Sequence, residues 1–359
     1  MKIKNHKIFL ITVLSFLWIT YSLSGCKAQP RAVASTLFPQ DSVAERMLIY
    51  QRNNGGFPQP KGDPIDYQKT LSKSLINTLL AEKDFLDATI DDKATTREIN
   101  GLVATFQKTK NPAYIQAAEN GIRYLLKAQN NAGGWGQFFP DSSGYHKHIT
   151  YNDNAMIDVM YVMKNTAEST NGFEAVDKTL KEAAQKAVEK GIDCILKTQV
   201  IQNGKLTAWC AQHDRNTLKP AKARMFELPS LSGNESVGII KFLMTIEKPS
   251  PEIKQAINSA VVWLESVKIV GIKVENIKDA SQPKGKDRIV VPDPNSTMWA
   301  RFYELETNKP FFAGRNSVVK YNLAEIENER RTGYAYYGTW AATLLAKEYP
   351  EWVKRVGKE

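Results

Sequence analysis

Apolar residues recur at intervals of three and four along most of the chain, the spacing that gathers them on one face of a helix. The pattern predicts helices over 42–50, 71–85, 98–109, 115–129, 155–167, 180–199, 235–246 and 252–265. A last helix starts within 339–346 and runs toward Trp352. Alternating stretches are scarce. The best strand candidates are 268–277 and 288–291, both inside a Gly- and Pro-interrupted stretch.

A loose internal repeat accompanies the helical pattern. MLIYQRNNGGF (47–57), GIRYLLKAQNNAGGW (121–135) and GIDCILKTQVIQNGKLTAW (191–209) each read as a helix ending in Gln, a Gly-bearing turn and an aromatic residue. Gly ends a helix through a left-handed cap, and the aromatic can fold back over the helix end. The repeat predicts an all-α fold: an (α/α) toroid whose long loops crowd one end and line a cleft. A plain helical solenoid or bundle is the simpler alternative. Nothing in the composition divides the chain, so residues 30–359 are expected to form one domain.

The first residues change the picture of where the protein works. Lys2, Lys4 and Lys7 precede an apolar run over 8–23, then Ser24 and Gly25, as in an export signal over residues 1–25. The run is short for a membrane span. Leu23-Ser24-Gly25-Cys26 resembles a lipoprotein lipobox, in which Cys26 carries the lipid. Cleavage after Ala28 or Gln29 with free secretion is the alternative. Either way the chain is expected to be exported, as a periplasmic or outer-membrane lipoprotein or as a secreted protein.

The 359 residues carry a formal net charge of +10. For an exported protein that charge suits an acidic polysaccharide or anionic surface better than nucleic acid. After Cys26 only Cys194 and Cys210 remain, able to form one disulfide or to stay as buried thiols. With no CxxC and few histidines, zinc is not expected. The protein is expected to be a monomer.

Four loops carry more polar chemistry than packing requires. In TIDDKATT (89–96) the adjacent Asp91 and Asp92 offer hard oxygen ligands, suited to Ca²⁺. Asp92, Thr95 or Thr96 could instead cap the next helix, with Glu98 completing a capping box. GGWGQFFPDSSGYHKHITYNDNA (133–155) gathers Trp135, Tyr145, Lys147, His148, Asn152 and Asp153. Asp153 is either a cation ligand or a helix cap.

WCAQHD (209–214) is followed by PAKARMFE (220–227). His213 has no nucleophile motif beside it and reads as a hydrogen-bonding residue. Lys222 and Arg224 would point the same way from an extended loop, toward an anion. In FFAGRN (311–316), Gly314 permits close backbone approach, and the Arg315 fork matches a carboxylate.

The runs TIDDKATTREI (89–99), GGWGQFFPDSSGYHKHITYNDNAM (133–156), WCAQHD with KARMFELPSLSG (209–233) and RFYELETNKPFFAGRNSVVKY (301–321) resemble the family 10 polysaccharide lyases, the pectate lyases. The resemblance runs in order over about 42–340. It implies an (α/α) toroid and Ca²⁺-dependent anti β-elimination on α-1,4-linked polygalacturonate. By position, Asp91 and Asp153 would serve the Ca²⁺ and substrate-carboxylate site. Arg224 would be the base and Arg315 would bind the uronate carboxylate. Asp92 stands where many relatives carry Asn, so its part in metal binding is an added expectation. Lys222, His148, Lys147, Asn152, Tyr145, Trp135 and His213 are candidate substrate contacts.

Arginine is an unusual base because its pKa lies above about 12. Nearby cations (Ca²⁺, Lys222 or Arg315) would favour its neutral form, so activity is expected to rise well above neutral pH. Two other functions fit the same features: a glycoside hydrolase using Asp91 and Asp153 as acid and base, or a surface lipoprotein that binds pectin without cutting it.

Overall fold

The computed structural model describes residues 38–140 and 143–357. The basic leader, its apolar run and Cys26 lie outside the described residues. Export and lipidation therefore rest on sequence alone.

The helices are α1 (Ser42–Tyr50), α2 (Lys73–Ala81), α3 (Thr96–Thr109), α4 (Pro112–Ala128), α5 (Ala155–Glu168), α6 (Lys178–Thr198), α7 (Glu235–Leu243), α8 (Pro251–Ser266), α9 (Asn328–Gly333) and α10 (Tyr349–Val356). Their starts follow the local chemistry. Asp41 accepts from the N–H groups of Val43 and Ala44 at 2.9 and 3.0 Å and so caps α1. Pro112 and Pro251 open α4 and α8 behind Asn111 and Ser250 caps. Among the described residues no helix is long and apolar enough to cross a membrane.

The helices pack in pairs: α3 on α4, α5 on α6 and α7 on α8. Members of successive pairs touch as well, α3 with α5 and α5 with α7 on one side, α4 with α6 and α6 with α8 on the other. The recurrent Gln holds the pairs together. Gln51 Nε2 donates to Gly55 O and to Ala117 O in α4, both at 2.8 Å. Gln129 Nε2 donates to Gly133 O and to Ala187 O in α6. Gln199 Nε2 does the same with Thr207 O and Ala256 O in α8. One side chain thus satisfies a turn carbonyl of its own unit and a carbonyl of the next unit's helix, where an unpaired buried group would cost free energy.

The closing aromatic of each unit is core. Phe57, Trp135 and Trp209 are fully buried. The Trp135 and Trp209 indole N–H groups return to Leu125 O and Ile195 O at 2.7 and 2.8 Å. Trp299 repeats the device with Leu264 O at 2.9 Å. Gly133, at φ 87°, presses against the Lys190 carbonyl, which would stand 2.2 Å from a Cβ there. Only glycine permits that approach.

The expected all-α toroid is corrected. About 47% of the chain is helical, and several antiparallel sheets stand beside the helices, so the fold is mixed α/β. β1 (Ile149–Thr150) pairs with β4 (Gln212–His213), and β2 (Ile201–Gln202) with β3 (Lys205–Leu206). β5 (Leu231–Ser232) pairs with β8 (Phe302–Tyr303) and β9 (Phe312–Ala313) with β10 (Val319–Lys320). The longest ladder joins β6 (Ile269–Lys278) to β7 (Lys286–Ala300), and β11 (Tyr337–Gly338) adds to the other edge of β7. These sheets tie the loops at the helix ends into fixed walls, and the candidate site lies among them.

Residues 38–359 form one unit in the described structure. Its main core runs through the helix pairs. A smaller cluster of Phe302, Phe311, Phe312, Leu323, Ile326 and Tyr336 supports the C-terminal loops. Cys194 and Cys210 are both buried free thiols, which resolves the two readings of that pair.

Candidate active site

Two short 3₁₀ turns bring the acidic residues together. Asp91–Lys93 lies just before α3, and Asn152–Asn154 leads directly into α5. Both turns bend through left-handed backbone: φ is 42° at Asp92, 65° at Thr95 and 50° at Asp153. For β-branched Thr95 this is a strained conformation. It is pinned by two hydrogen bonds, as Thr95 Oγ1 accepts from Phe57 N and donates to Thr89 O at 2.9 and 2.8 Å.

The capping alternatives are not realised. Neither Asp92 nor a threonine hydroxyl caps α3, and Glu98 is buried against Arg97 instead of closing a capping box. No side chain caps α5 either. The carboxylates of Asp91, Asp92 and Asp153 thus stand near helix N-termini, whose partial positive charge favours anions, without being consumed as caps.

These turns and two further segments enclose a polar cavity of about 100 Å³, lined by Asp91, Asp92, Gln137, Tyr145, Asn152, Asp153, Gln212, Arg224 and Glu227. Burial raises the Asp91 pKa above the usual carboxylate range; Gln137 and Arg224 oppose the rise, and Asp92 and Asp153 add to it. Asn152 Nδ2 donates to Asp153 Oδ2 at 2.7 Å, and Arg301 Nη2 donates to Asp153 Oδ1 at 3.2 Å.

In the same cavity Glu227, buried, accepts from Arg224 Nε at 2.7 Å and from Arg224 Nη2. That hydrogen bond and the Glu227 charge keep Arg224 cationic against the opposing effect of burial. Burial alone would raise the Glu227 pKa, but the Arg224 guanidinium and backbone N–H and the Tyr334 hydroxyl hold it below the usual range. The expected influence of neighbouring cations on Arg224 is thus met by a stronger opposite one. Phe226 and Tyr334 flank the guanidinium at 5.0 and 5.8 Å from their ring centroids. Among the described residues the hydrogen bonds of the Arg224 guanidinium are made through Nε and Nη2, not Nη1.

The family model for pectic acid lyase matches residues 51–345. The chain belongs to the pectic acid lyase family. It is similar to the family 10 polysaccharide lyase from Cellvibrio cellulosa, with 34% identity, a TM-score of 0.74, and coverage of 88% of this chain and 92% of that one. The same figures hold for an aspartate-to-alanine mutant of that enzyme in complex with trigalacturonic acid. No curated protein matches the chain significantly. The protein is therefore a polysaccharide lyase by family, and its cavity is the place to seek the chemistry.

The remaining sequence candidates of this lyase separate. Trp135 is fully buried, so its ring packs in the core and cannot stack on a sugar. His213 is buried too: Nε2 accepts from Cys210 N at 3.1 Å and Nδ1 faces Leu218 O at 2.9 Å. Both are corrections to a substrate-contact reading, because neither side chain reaches solvent. His148 is half-buried with Nδ1 3.8 Å from Asp214 Oδ2, and burial lowers its pKa. Lys147 lies outside the cavity in the neighbouring groove.

Lys222 and Arg224 do not act as one pair. Lys222 Nζ donates to Ser317 Oγ at 3.1 Å, whereas Arg224 turns to Glu227. Arg315 is exposed and donates to both oxygens of Glu329, at 3.2 and 3.0 Å. Gly314 before it has the Glu327 carboxylate where a Cβ would lie, 1.8 Å away.

Sequence reading passed over Glu227, Gln137, Gln212 and Arg301. Arg301 is buried between Asp153 and Glu235, each 3.2 Å away, and lies over the Tyr334 ring at 4.7 Å from its centroid. Burial opposes its charge, and Glu235 and then Tyr334 and Asp153 sustain it.

The donor set suits a hard cation. Asp91, Asp92 and Asp153 are oxygen ligands, and Asn152 Oδ1 is buried without a hydrogen-bond partner. Among the described residues no three His, Cys, Asp or Glu side chains are gathered closely enough to hold a metal by themselves. A Ca²⁺ here would draw on these carboxylates, an amide oxygen and oxygens of the substrate.

Proposed function

We propose that this lyase cleaves polygalacturonate by Ca²⁺-dependent anti β-elimination, with Arg224 as the base that removes the C5 proton. The observation carrying the reading is the single polar cavity in which Asp91, Asp92 and Asp153 face Arg224, in a chain similar to a lyase solved with trigalacturonic acid.

The C5 proton of a galacturonate is weakly acidic because the C6 carboxylate beside it is already anionic. A bound Ca²⁺, held by Asp91, Asp92, Asp153 and Asn152 Oδ1, would supply positive charge to that carboxylate. Asp153 is oriented for this by Arg301 and by Asn152 Nδ2. Arg224, fixed along its Nε and Nη2 edge by Glu227, lines the same cavity. At alkaline pH, where a small fraction of Arg224 loses its proton against the pull of Glu227, the C5 proton passes to that neutral guanidine, the C5–H electron pair forms the C4=C5 bond, and the C4–O bond breaks. The leaving oxygen takes a proton from water. The products are a 4,5-unsaturated uronide and a new reducing end. Arg315, exposed near the site, would hold a uronate carboxylate once released from Glu329. Export as a lipoprotein or in free form would bring the enzyme to its polymer.

Incubation with polygalacturonate, with added calcium and with chelator, tests the reading through ultraviolet absorbance of the unsaturated product. The absorbance is expected to rise with calcium and stop with chelator. Reducing sugar without absorbance would establish a hydrolase instead, and binding without either would establish a pectin-binding protein.

A further inference from the structure

We propose that the exposed apolar face of α2, with the turn that follows it, rests on a lipid bilayer and holds the catalytic domain against a membrane surface. The proposal stands on the surface chemistry of residues 73–86 and is independent of the lyase reading of the cavity.

α2 is poorly buried for what it carries. Its nine residues are too few for a helix to hold itself in water, so its stability must come from packing an apolar face. Of Lys73–Ala81 only Leu79 is buried. Leu75 and Leu80 are 39% and 52% exposed, and Phe85 and Leu86 just after the helix are 52% and 59% exposed. Four large apolar side chains thus stand in the open on one short segment. A concentration of this kind marks a surface that something covers.

The ground around them is nearly uncharged. The other exposed positions of α2 are Lys73, Ser74, Asn77, Thr78 and Ala81. Thr78 turns its hydroxyl to the Ser74 carbonyl of the helix itself, at 3.1 Å. The solvent face of α6 is the contrast, with Lys178, Glu182, Lys186, Glu189, Lys190 and Asp193 at exposed positions. The charges that flank the patch are engaged beside it. Glu82 and Asp87 pair with Arg52 at 3.4 and 2.7 Å, Asp84 accepts from Asn53 Nδ2 at 2.7 Å, and Lys83 donates to the Leu48 and Gln51 carbonyls. Lys73 stands exposed at the start of the helix, where it suits an anionic headgroup.

The origin of the chain selects the bilayer as the cover. α2 packs on α1, and α1 is the first helix of the described residues. The twelve residue steps from Cys26 to Phe38 span at most about 43 Å, and α2 is about 14 Å long. A lipid on Cys26 would therefore keep this face within reach of the bilayer that holds the lipid. Leucine and phenylalanine beside a lysine are the chemistry of an element lying in a membrane interface. An anionic polymer would need cations and hydrogen-bonding groups where this face offers hydrocarbon.

The test places a fluorophore on the full chain. Leu80→Cys and Lys186→Cys variants are labelled with an environment-sensitive dye, Cys194 and Cys210 being buried and Cys26 either blocked by its lipid or lost with the leader. Each protein, recovered from membranes or from the medium, is added to vesicles of phosphatidylethanolamine and phosphatidylglycerol that carry a spin-labelled lipid. The label at position 80 is expected to shift to the blue and to be quenched, and the label at 186 to keep its emission. No quenching at 80, or equal quenching at both positions, overturns the proposal. Quenching at 80 in protein recovered from the medium supports the surface and removes the lipidation.

Two other covers have their own signatures. A dimer that forms without vesicles and is lost in Leu80→Ser/Leu86→Ser would assign the face to a second copy and overturn the proposal. A label at 80 shielded from aqueous iodide in the absence of vesicles would assign it to residues 27–37 and overturn it equally. Neither Leu80 nor Leu86 lines the catalytic cavity, so Leu80→Ser/Leu86→Ser is expected to turn over soluble oligogalacturonate as wild type does. Absence of turnover in both, with quenching at 80 intact, removes the lyase reading and leaves the membrane surface standing.

Discussion

The carboxylate of Glu227 grips the guanidinium of Arg224 along its Nε and Nη2 edge, at 2.7 Å from Nε, and among the described residues makes no contact with Nη1. The grip orients the arginine and holds it cationic, so orientation and basicity pull in opposite directions. The Glu227→Gln variant keeps the shape and loses the charge. Its Arg224 should release a proton more readily, moving the alkaline limb of the kcat/KM–pH profile toward lower pH. Arg224→Ala should lower kcat by on the order of 10²–10⁴, the range of a lost general base. A limb that does not move in Glu227→Gln removes Arg224 as the titrating group.

Arg301 links Asp153 to Glu235, whose carboxylate is fully buried and also receives Ser232 Oγ and Asn234 Nδ2. Truncation to Arg301→Met leaves Glu235 as an uncompensated buried charge, which costs about 3–5 kcal/mol. Adding Glu235→Gln should recover most of that stability in urea melts. Activity should not recover with it, because Asp153 still lacks its partner at Oδ1. Full recovery of both would reduce Arg301 to a structural residue.

Calcium should stabilise the fold through the same carboxylates. A site that binds only the native state raises the melting temperature with the logarithm of ligand concentration once that concentration exceeds Kd. Thermal melts of wild type are expected to shift upward with calcium, and those of Asp91→Asn/Asp153→Asn are not. Equal shifts in the two proteins would place the cation elsewhere.

Much of the helical framework was legible because long amphipathic segments carry their own period. The Gln-to-aromatic repeat was legible for a related reason, since each unit solves the same problem of ending one helix against the next. The all-α label failed on elements too short to have a period. Ile149 pairs with His213 and Leu231 with Tyr303, and two-residue ladders of this kind are decided by the distant partner. The long strands at Ile269–Lys278 and Lys286–Ala300 were visible, but their weight in the fold was underestimated.

In the site, Asp91, Asp153 and Arg224 stood out as polar clusters in loops. Glu227 and Arg301 lay inside the same distinctive segments, yet nothing in a linear sequence says which charges are buried. Trp135 shows the converse error, since an aromatic in a glycine-rich loop looks like a sugar platform until its burial is known. Trp135→Ala should cost about 3–5 kcal/mol of stability while leaving KM unchanged in the folded fraction. Tyr145→Ala, at the cavity wall, should raise KM with little loss of stability. Reversed outcomes would return Trp135 to the substrate.

His213 makes stability depend on pH in a direction its geometry fixes. The ring is buried and accepts from Cys210 N, so it must stay neutral, and burial lowers its pKa from 6.5 to about 4 despite its hydrogen bonds to Leu218 and Cys210. The unfolded chain binds a proton below about 6.5 and the native ring does not until about 4. Between those values the unfolded state holds more protons, so stability falls as pH falls. The loss should begin near pH 6.5, reach about 3 kcal/mol by pH 4 from this residue, and level off below it. Urea midpoints measured across pH 4–8 should show the slope in wild type. In a folded His213→Gln variant, which cannot titrate, the slope should be weaker by that amount. A variant with the wild-type slope would assign the acid sensitivity to other groups.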